Sequence, residues 1–191
     1  MFKTLAYADI FDYPLTASEI KHWLIEGDSF APAKKGYYYL PGRKNLIALR
    51  RRRQRFSQLK WQQARKATRI LSLISNVKLA AVTGALAMNN SDKNDDIDLM
   101  IVTAKNRLWL TRLIVLLLLL PWLRRGKKIN NRLCINLWLD ETALVVSQTK
   151  RDLYTAHEVC QAKPVFDRDN TYQKFIAANL WYKKFLPNWT I

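Results

Sequence analysis

The sequence has little cysteine, few acidic residues and no long uninterrupted apolar run. Its two cysteines, Cys134 and Cys160, lack partners at the spacing of metal ligands, and nothing suggests a secreted disulfide scaffold. The N-terminal stretch MFKTLAYADIFDYPL lacks the long apolar core of a signal peptide. We therefore expect a reduced, cytoplasmic protein without a zinc site.

Basic residues outnumber acidic residues by about two to one. The chain of 191 residues has 15 Asp plus Glu against 32 Lys plus Arg, a net charge of +17. Hydrophobic residues make up 49% of it, which excludes a disordered protein and is enough for a real core. The charge favours polyanionic partners, namely nucleic acid, nucleotides or an anionic membrane surface, although solubility alone could also account for it.

The most apolar segment is LWLTRLIVLLLLLPWL, residues 108–123. Arg112 interrupts its start and Pro121 its end, and the remainder is far shorter than the roughly 20 residues that span a bilayer. The pattern predicts a helix over residues 107–120, buried against a sheet, and we do not expect a membrane partner. Attachment to a membrane surface through this helix and the basic RRGKK after it is the lesser alternative.

The first 45 residues are typical of a degenerate winged helix-turn-helix segment. Helical spacing covers residues 2–11, a capping box of Thr16 and Glu19 opens a helix over residues 17–26, and the tyrosines of KKGYYYLPGRKN predict a strand before a turn. The stretch GDSFAPAKK between them has barely room for one turn of a recognition helix. Sequence-specific DNA reading is therefore not expected.

Residues 46–75 predict one long basic helix that connects this segment to the rest. Its arginine run could contact phosphates without reading sequence, or could simply be a solvated helix face. The candidate nucleic-acid contacts are Arg50, Arg51, Arg52, Arg53 and Arg55.

Residues 76–191 predict an α+β core, in which a small mixed β-sheet is packed by helices. Strands are expected over residues 78–83, 96–103 and 133–139, and helices over 107–120, 151–162 and 170–184. Asp96 and Asp98 alternate with apolar residues in the second strand, so both carboxylates point to one face. Two such carboxylates are hard to keep ionised without a cation, and Mg²⁺ is the natural one because it prefers oxygen ligands.

The stretch VTGALA (82–87) followed by DIDLMIV (96–102) resembles the DNA polymerase beta-like nucleotidyltransferase superfamily, which has a strand-borne glycine, a spacer and then Asp-x-Asp. YPLTASEI, RLWLTR and NLWYKKFLPN are also similar to a group of prokaryotic nucleotidyltransferase-domain proteins. The resemblance implies that Asp96 and Asp98 are catalytic and bind Mg²⁺ or Mn²⁺. It implies that a nucleoside triphosphate is held by Thr83, Gly84, Ala85 and, further along, Arg112.

The implied activity is transfer of a nucleoside monophosphate to an acceptor hydroxyl, with the acceptor, base preference and oligomeric state left open. Two positions depart from the family: Ala85 replaces Ser or Gly, and Asn136 stands where a third carboxylate is frequent. Asp140, at the end of that strand, lies too far along to replace it. The alternative is a catalytically inactive protein of this fold that binds nucleic acid or nucleotide through its basic surface.

Other polar residues rank lower. Lys105 could contact a triphosphate, whereas Asp92 and Asp95 are interpreted as loop residues. His157 and Glu158, on a predicted helix, are interpreted as structural rather than catalytic.

Overall fold

The computed structural model of the chain describes residues 1–29, 36–124, 126 and 130–191. It has an α+β fold whose centre is a four-stranded mixed sheet with strand order β5-β4-β3-β6, which confirms the predicted fold class. The helices are α1 Phe2–Ile10, α2 Ala17–His22, α3 Leu46–Ser72, α4 Gly84–Ala87, α5 Leu108–Leu118, α6 Leu153–Gln161 and α7 Thr171–Ala178. The strands are β1 Leu15–Thr16, β2 Tyr37–Tyr38, β3 Val77–Val82, β4 Ile97–Thr103, β5 Leu133–Asp140 and β6 Lys163–Asp167.

Strand β4 runs antiparallel to β3 and parallel to β5, because α5 carries the chain back along the sheet between β4 and β5. Edge strand β6 pairs antiparallel with the other side of β3. The sequence prediction missed β6. The strand contains Pro164, which cannot donate to a ladder and therefore obscures the pattern of an edge strand.

The two faces of the sheet have separate cores. Alternate residues of β4, Ile97, Leu99 and Ile101, pack with residues of α3 and α5. Met100 and Val102, which alternate with these residues along the strand, pack on the other face with α6 and α7. Asp98 has the parity of Met100, so it lies on the face covered by α6.

The N-terminal segment is built as the capping signal predicts. The Thr16 hydroxyl accepts from the Glu19 backbone N–H, and the Glu19 side chain accepts from the Thr16 backbone N–H. Strand β2 pairs with β1, a short strand that directly precedes α2. Helix α2 ends at His22, four residues earlier than expected. The predicted stunted recognition helix falls partly on residues 30–35, outside the described residues.

Helix α3 is a single helix as predicted, but part of its arginine run is not free for phosphate. Arg50 is buried, with its guanidinium hydrogen-bonded to both carboxylate oxygens of Glu19 and to the carbonyl of Pro14. Arg53 donates to the carbonyl of Phe11. The expectation of five phosphate-binding arginines is therefore corrected to three exposed ones, Arg51, Arg52 and Arg55.

The prediction of a buried apolar helix holds for one stripe only. Thr111 and Val115 of α5 are buried, as is Leu119 just after it, while most other apolar side chains of the segment face outward. Within the described residues, no helix is long and apolar enough to cross a membrane.

The last two predicted helices are shorter than expected. Helix α6 begins at Leu153, and α7 ends at Ala178 before a separate 3₁₀ turn at Leu180–Lys184. The break falls at Asn179, whose buried amide donates to the carbonyls of Leu144 and Phe175. This side chain therefore fixes the loop after β5 to the end of α7.

Candidate functional site

The two aspartates of the motif lie at one edge of the sheet. Asp96 immediately precedes β4, Asp98 is its second residue, and the paired position on β5 is Cys134. One ligand atom from each of these three residues lies within 4.8 Å of the others. The predicted pair is thus brought together, with a thiol beside it that sequence spacing did not suggest because it comes from a different strand.

The turn after β3 places its backbone directly against Asp98. Gly84 has φ +59°, and a Cβ built there would lie 2.9 Å from Asp98 Oδ2. The backbone N–H of Thr83 donates to the Asp98 carbonyl at 3.1 Å. Only glycine combines this φ with so close an approach to the carboxylate, so the motif glycine and the second aspartate form one unit.

The three residues predicted to hold phosphates stand differently in this turn. Gly84 lies against Asp98 as just described, and Ala85 is exposed. The Thr83 hydroxyl is buried and has no hydrogen-bond partner among the described residues. A buried hydroxyl without a partner is unfavourable in the protein alone, and this one belongs to the residue whose backbone N–H contacts Asp98.

Each aspartate already has a partner from the protein. Arg124 donates to Asp96 Oδ2 at 3.0 Å, and the Asn136 amide donates to Asp98 Oδ1 at 3.0 Å. Asn136 therefore lies beside Asp98, although its side chain is exposed rather than inward as the sequence predicts. Asp140 is at the far end of β5, paired with Thr103, where it accepts from the backbone N–H of Thr142.

A third carboxyl group, missed by the motif, faces the same space. Glu158 of α6 and Asp98 both line a cavity of about 330 Å³ that also reaches Gly84. Burial, followed by repulsion from Asp96, raises the pKa of Asp98 to about 6, and burial followed by repulsion from Asp98 raises the pKa of Glu158 to about 7. The proximity arises from the packing of α6 on the sheet, so no sequence spacing signals it.

His157, next to Glu158, has a structural setting. Its ring stacks between Tyr7, at a centroid distance of 4.1 Å, and Trp23, at 5.2 Å. Burial lowers the pKa of His157 to about 4, so the imidazole is neutral at physiological pH. Its Nε2 has no hydrogen-bond partner within the described part of the chain. The stack joins α1, α2 and α6 into one wall of the cavity.

Arg112 and Lys105 are not brought to the carboxylates. The Arg112 guanidinium lies over the rings of Trp109 and Trp138, at 5.6 and 5.8 Å, and Trp138 belongs to the face of the sheet opposite Asp98. Lys105 follows the C-terminal end of β4, where its backbone N–H donates to Glu141. A cationic side chain that does reach the site is Arg124, which the motif did not indicate.

The loop before β4 is held by a buried lysine of α3. Lys60 Nζ donates to the carbonyl of Asp95 at 2.6 Å and to Asn131 Oδ1 at 2.9 Å. The Asp95 side chain accepts from the backbone N–H of Asp92, so both are loop residues as predicted. Lys60 therefore fixes the backbone immediately before Asp96.

The donor set fits a hard divalent cation. Mg²⁺ and Mn²⁺ are bound through oxygen, and the two carboxylates provide protein ligands while phosphate oxygens of a substrate can provide others. The Cys134 thiol is a poor ligand for Mg²⁺, and burial together with the negative charges of Asp96 and Asp98 raises its pKa. The fit therefore rests on Asp96 and Asp98.

No family model and no curated protein matches the chain. A solved structure, the crystal structure of a toxin-antitoxin with AMP-PNP, matches with 15% sequence identity over 58% of this chain and 84% of that chain, at a TM-score of 0.30. At that TM-score the match assigns neither a fold family nor a function.

Proposed function

We propose that the chain is a metal-dependent nucleotidyltransferase, which transfers a nucleoside monophosphate from a nucleoside triphosphate to an acceptor hydroxyl and releases pyrophosphate. The observation that carries the proposal is the close approach of the glycine turn to Asp98, since a Cβ at Gly84 would lie only 2.9 Å from Asp98 Oδ2. A backbone this close to one carboxylate of a neighbouring pair can hold phosphate oxygens beside a cation.

In this proposal Asp96 and Asp98 hold Mg²⁺ or Mn²⁺. The bound cation would neutralise charge on the triphosphate and stabilise the leaving pyrophosphate. The unpartnered Thr83 hydroxyl and the backbone at Gly84 and Ala85 would donate to phosphate oxygens. Arg124, now paired with Asp96 at 3.0 Å, could move its guanidinium to a phosphate oxygen once a cation takes the carboxylate.

The acceptor hydroxyl needs a base, and Asn136 cannot serve because an amide does not take up a proton at neutral pH. We assign this role to Glu158, which lines the same cavity as Asp98 and whose pKa is raised to about 7, near the operating pH. The carboxylate would accept the hydroxyl proton as the oxygen attacks the α-phosphorus and the bond to pyrophosphate breaks.

The first test is calorimetric binding of a non-hydrolysable nucleoside triphosphate with and without Mg²⁺. The proposal expects metal-dependent binding by the natural chain and its loss in Asp96→Asn/Asp98→Asn. A matched control is Asp140→Asn/Glu141→Gln, which removes the same charge at the opposite end of β4 and β5 and should leave binding unchanged. Equal binding by both double variants would contradict the assignment of the metal site.

A second test uses glycines. Gly84→Ala and Gly42→Ala introduce the same methyl group at positive φ, +59° and +81°, but only the first meets a neighbour, since nothing lies within 4 Å of a Cβ at Gly42. Nucleotide binding should be lost in Gly84→Ala and kept in Gly42→Ala. If both variants bind alike, the turn does not hold phosphate.

A second candidate function is nucleotide or nucleic-acid binding without catalysis. It is favoured by the two protein partners of the carboxylates, Arg124 and Asn136, which satisfy them without a cation. Pyrophosphate release from the four nucleoside triphosphates separates the two. Metal-dependent binding without release, unchanged by Glu158→Gln, would favour the binder, and a steep salt dependence of RNA binding through Arg51, Arg52 and Arg55 would support it further.

A further inference from the structure

Helix α5 presents an apolar surface that the rest of the described chain does not cover. Side chains along the length of the helix are largely exposed: Trp109 by 76%, Leu113 by 57% and Leu117 by 62%. We call this surface the α5 apolar face. It consists of Trp109, Leu110, Leu113, Leu117, Leu118, Leu120 and Trp122.

A contiguous surface of this kind marks an interaction site rather than ordinary surface variation, because single exposed leucines are scattered elsewhere whereas these share one short helix and the turn after it. Its charge surroundings identify the occupant. Between Asp98 and Asp140 the sequence contains no acidic residue. The same stretch contains eight basic residues, Lys105, Arg107, Arg112, Arg124, Arg125, Lys127, Lys128 and Arg132.

Among the described residues, three of these cations lie close to the apolar face in the chain or in space. Arg107 caps the start of α5, and Arg112 is exposed with its guanidinium 5.6 Å from the Trp109 ring centroid. Arg124 is exposed shortly after Trp122. An occupant must therefore offer apolar material with negative charge around it, which is how an anionic lipid bilayer presents itself to a protein surface.

A second copy of the chain fits these observations less well. Two α5 apolar faces packed together would bring Arg107 and Arg112 of one copy close to the same cations of the other, with no acidic residue of α5 to offset them. The tryptophans favour lipid further, since Trp109 and Trp122 stand at the two ends of the face and Trp is enriched at the level of lipid headgroups.

We propose that the α5 apolar face docks on the surface of an anionic lipid bilayer, with the helix lying in the plane of the interface. Helix α5 has 11 residues, roughly 16 Å at the usual rise, and is too short to cross a hydrocarbon core of about 30 Å. The proposal is independent of the proposed nucleotidyl transfer. An Asp96→Asn/Asp98→Asn chain should therefore still bind vesicles.

The test is flotation of the full chain with vesicles of phosphatidylcholine alone or of phosphatidylcholine with phosphatidylglycerol. The variant Leu113→Gln/Leu117→Gln alters the face at exposed positions, so folding is preserved. Its control is Leu59→Gln/Leu73→Gln, which makes the same exchange at leucines of α3 and its C-terminal end that are 59% and 84% exposed. Each double variant keeps the net charge of the chain.

We expect the natural chain and the control to bind anionic vesicles and to bind neutral vesicles only weakly. Binding to anionic vesicles should be weakened at least about tenfold in Leu113→Gln/Leu117→Gln.

A second readout is the quenching of Trp fluorescence by lipids brominated on their acyl chains, which should fall in Trp109→Phe/Trp122→Phe. Equal binding by both leucine variants would overturn the proposal, because charge alone would then account for it. Absence of binding, or a dimer that Leu113→Gln/Leu117→Gln converts to a monomer, would overturn it as well.

Discussion

Helices α3 and α5 pack on the same face of the sheet, and their burial is the reverse of what their compositions suggest. Helix α3 is rich in basic residues, yet Lys60 is 1% exposed and Arg50 is 5% exposed. Helix α5 is almost entirely apolar, yet Leu117 is 62% exposed. Composition therefore does not decide which side chains are removed from water.

The difference follows from what each helix meets. Helix α3 lies between the N-terminal segment, the loop before β4 and the sheet, so it has neighbours on several sides and its buried cations find carbonyl and carboxylate oxygens. Helix α5 packs on β4 and β5 and buries one stripe. A buried cation with oxygen partners is tolerated, whereas an apolar side chain becomes buried only if another surface covers it.

The largest expected effect on stability comes from replacing Lys60, a buried cation of α3. Lys60→Ala should lower the free energy of unfolding by about 3–5 kcal/mol, because it leaves a cavity and the unpaired carbonyl of Asp95. Lys60→Met keeps most of the packing and should cost less, about 1–3 kcal/mol. Urea unfolding gives both values, and exposed Lys66→Ala is the matched control. A Lys60→Ala cost as small as that of Lys66→Ala would show that the burial is unimportant.

Arg50→Met should come next, with a loss of about 2–4 kcal/mol. The substitution leaves Glu19 without its guanidinium partner and removes a contact that joins α3 to the N-terminal segment. Hydrogen exchange should show faster exchange of amides in α2, while exposed Arg51→Met should change neither stability nor exchange. Unaltered exchange in α2 would mean that the segment is held by its apolar contacts alone.

Two adjacent residues of helix α6, buried His157 and half-buried Glu158, have pH dependences of opposite sign. Burial lowers the pKa of His157 from 6.5 to about 4, so between these values the unfolded chain binds a proton that the folded chain does not, and stability falls as the pH drops. The pKa of Glu158 rises from 4.5 to about 7, so the folded chain holds the proton and stability falls as the pH increases through that range.

Single variants separate the two contributions. Between pH 7 and 4, the stability of the natural chain relative to His157→Gln should fall by about 2–3 kcal/mol. Relative to Glu158→Gln, the stability of the natural chain should instead rise as the pH falls from about 7 to 4.5. Denaturant unfolding in matched buffers gives both differences. Parallel profiles for the three chains would contradict both pKa shifts.

The smallest expected effect on stability comes from replacing exposed leucines of α5. Leu113→Gln/Leu117→Gln should change the free energy of unfolding by less than about 0.5 kcal/mol per site, because these leucines are already in contact with water. Chemical denaturation without lipid measures this. A loss of several kcal/mol would show that part of the described chain covers the helix in solution and would remove the contrast with α3.

Patterns within a single element were readable from the sequence. The capping box at Thr16, the continuous helix α3, and the alternation that places Asp96 and Asp98 at the start of β4 depend on neighbours within a few residues. Strand β6 was missed because Pro164 and its edge position hide the periodicity. The structure also leaves Arg112, a predicted phosphate contact, on the opposite face of the sheet from Asp98.

The sequence by itself determined the α+β order of elements and the residues that could hold a cation, since period, caps and a glycine at a strand end are local properties. Tertiary structure alone decided which distant groups meet. It placed Glu158 in a cavity with Asp98, enclosed Lys60 behind the loop before Asp96, and left the leucines of α5 uncovered. The physical reason is that burial and pKa depend on what other elements place around a side chain, and that depends on packing across the whole chain.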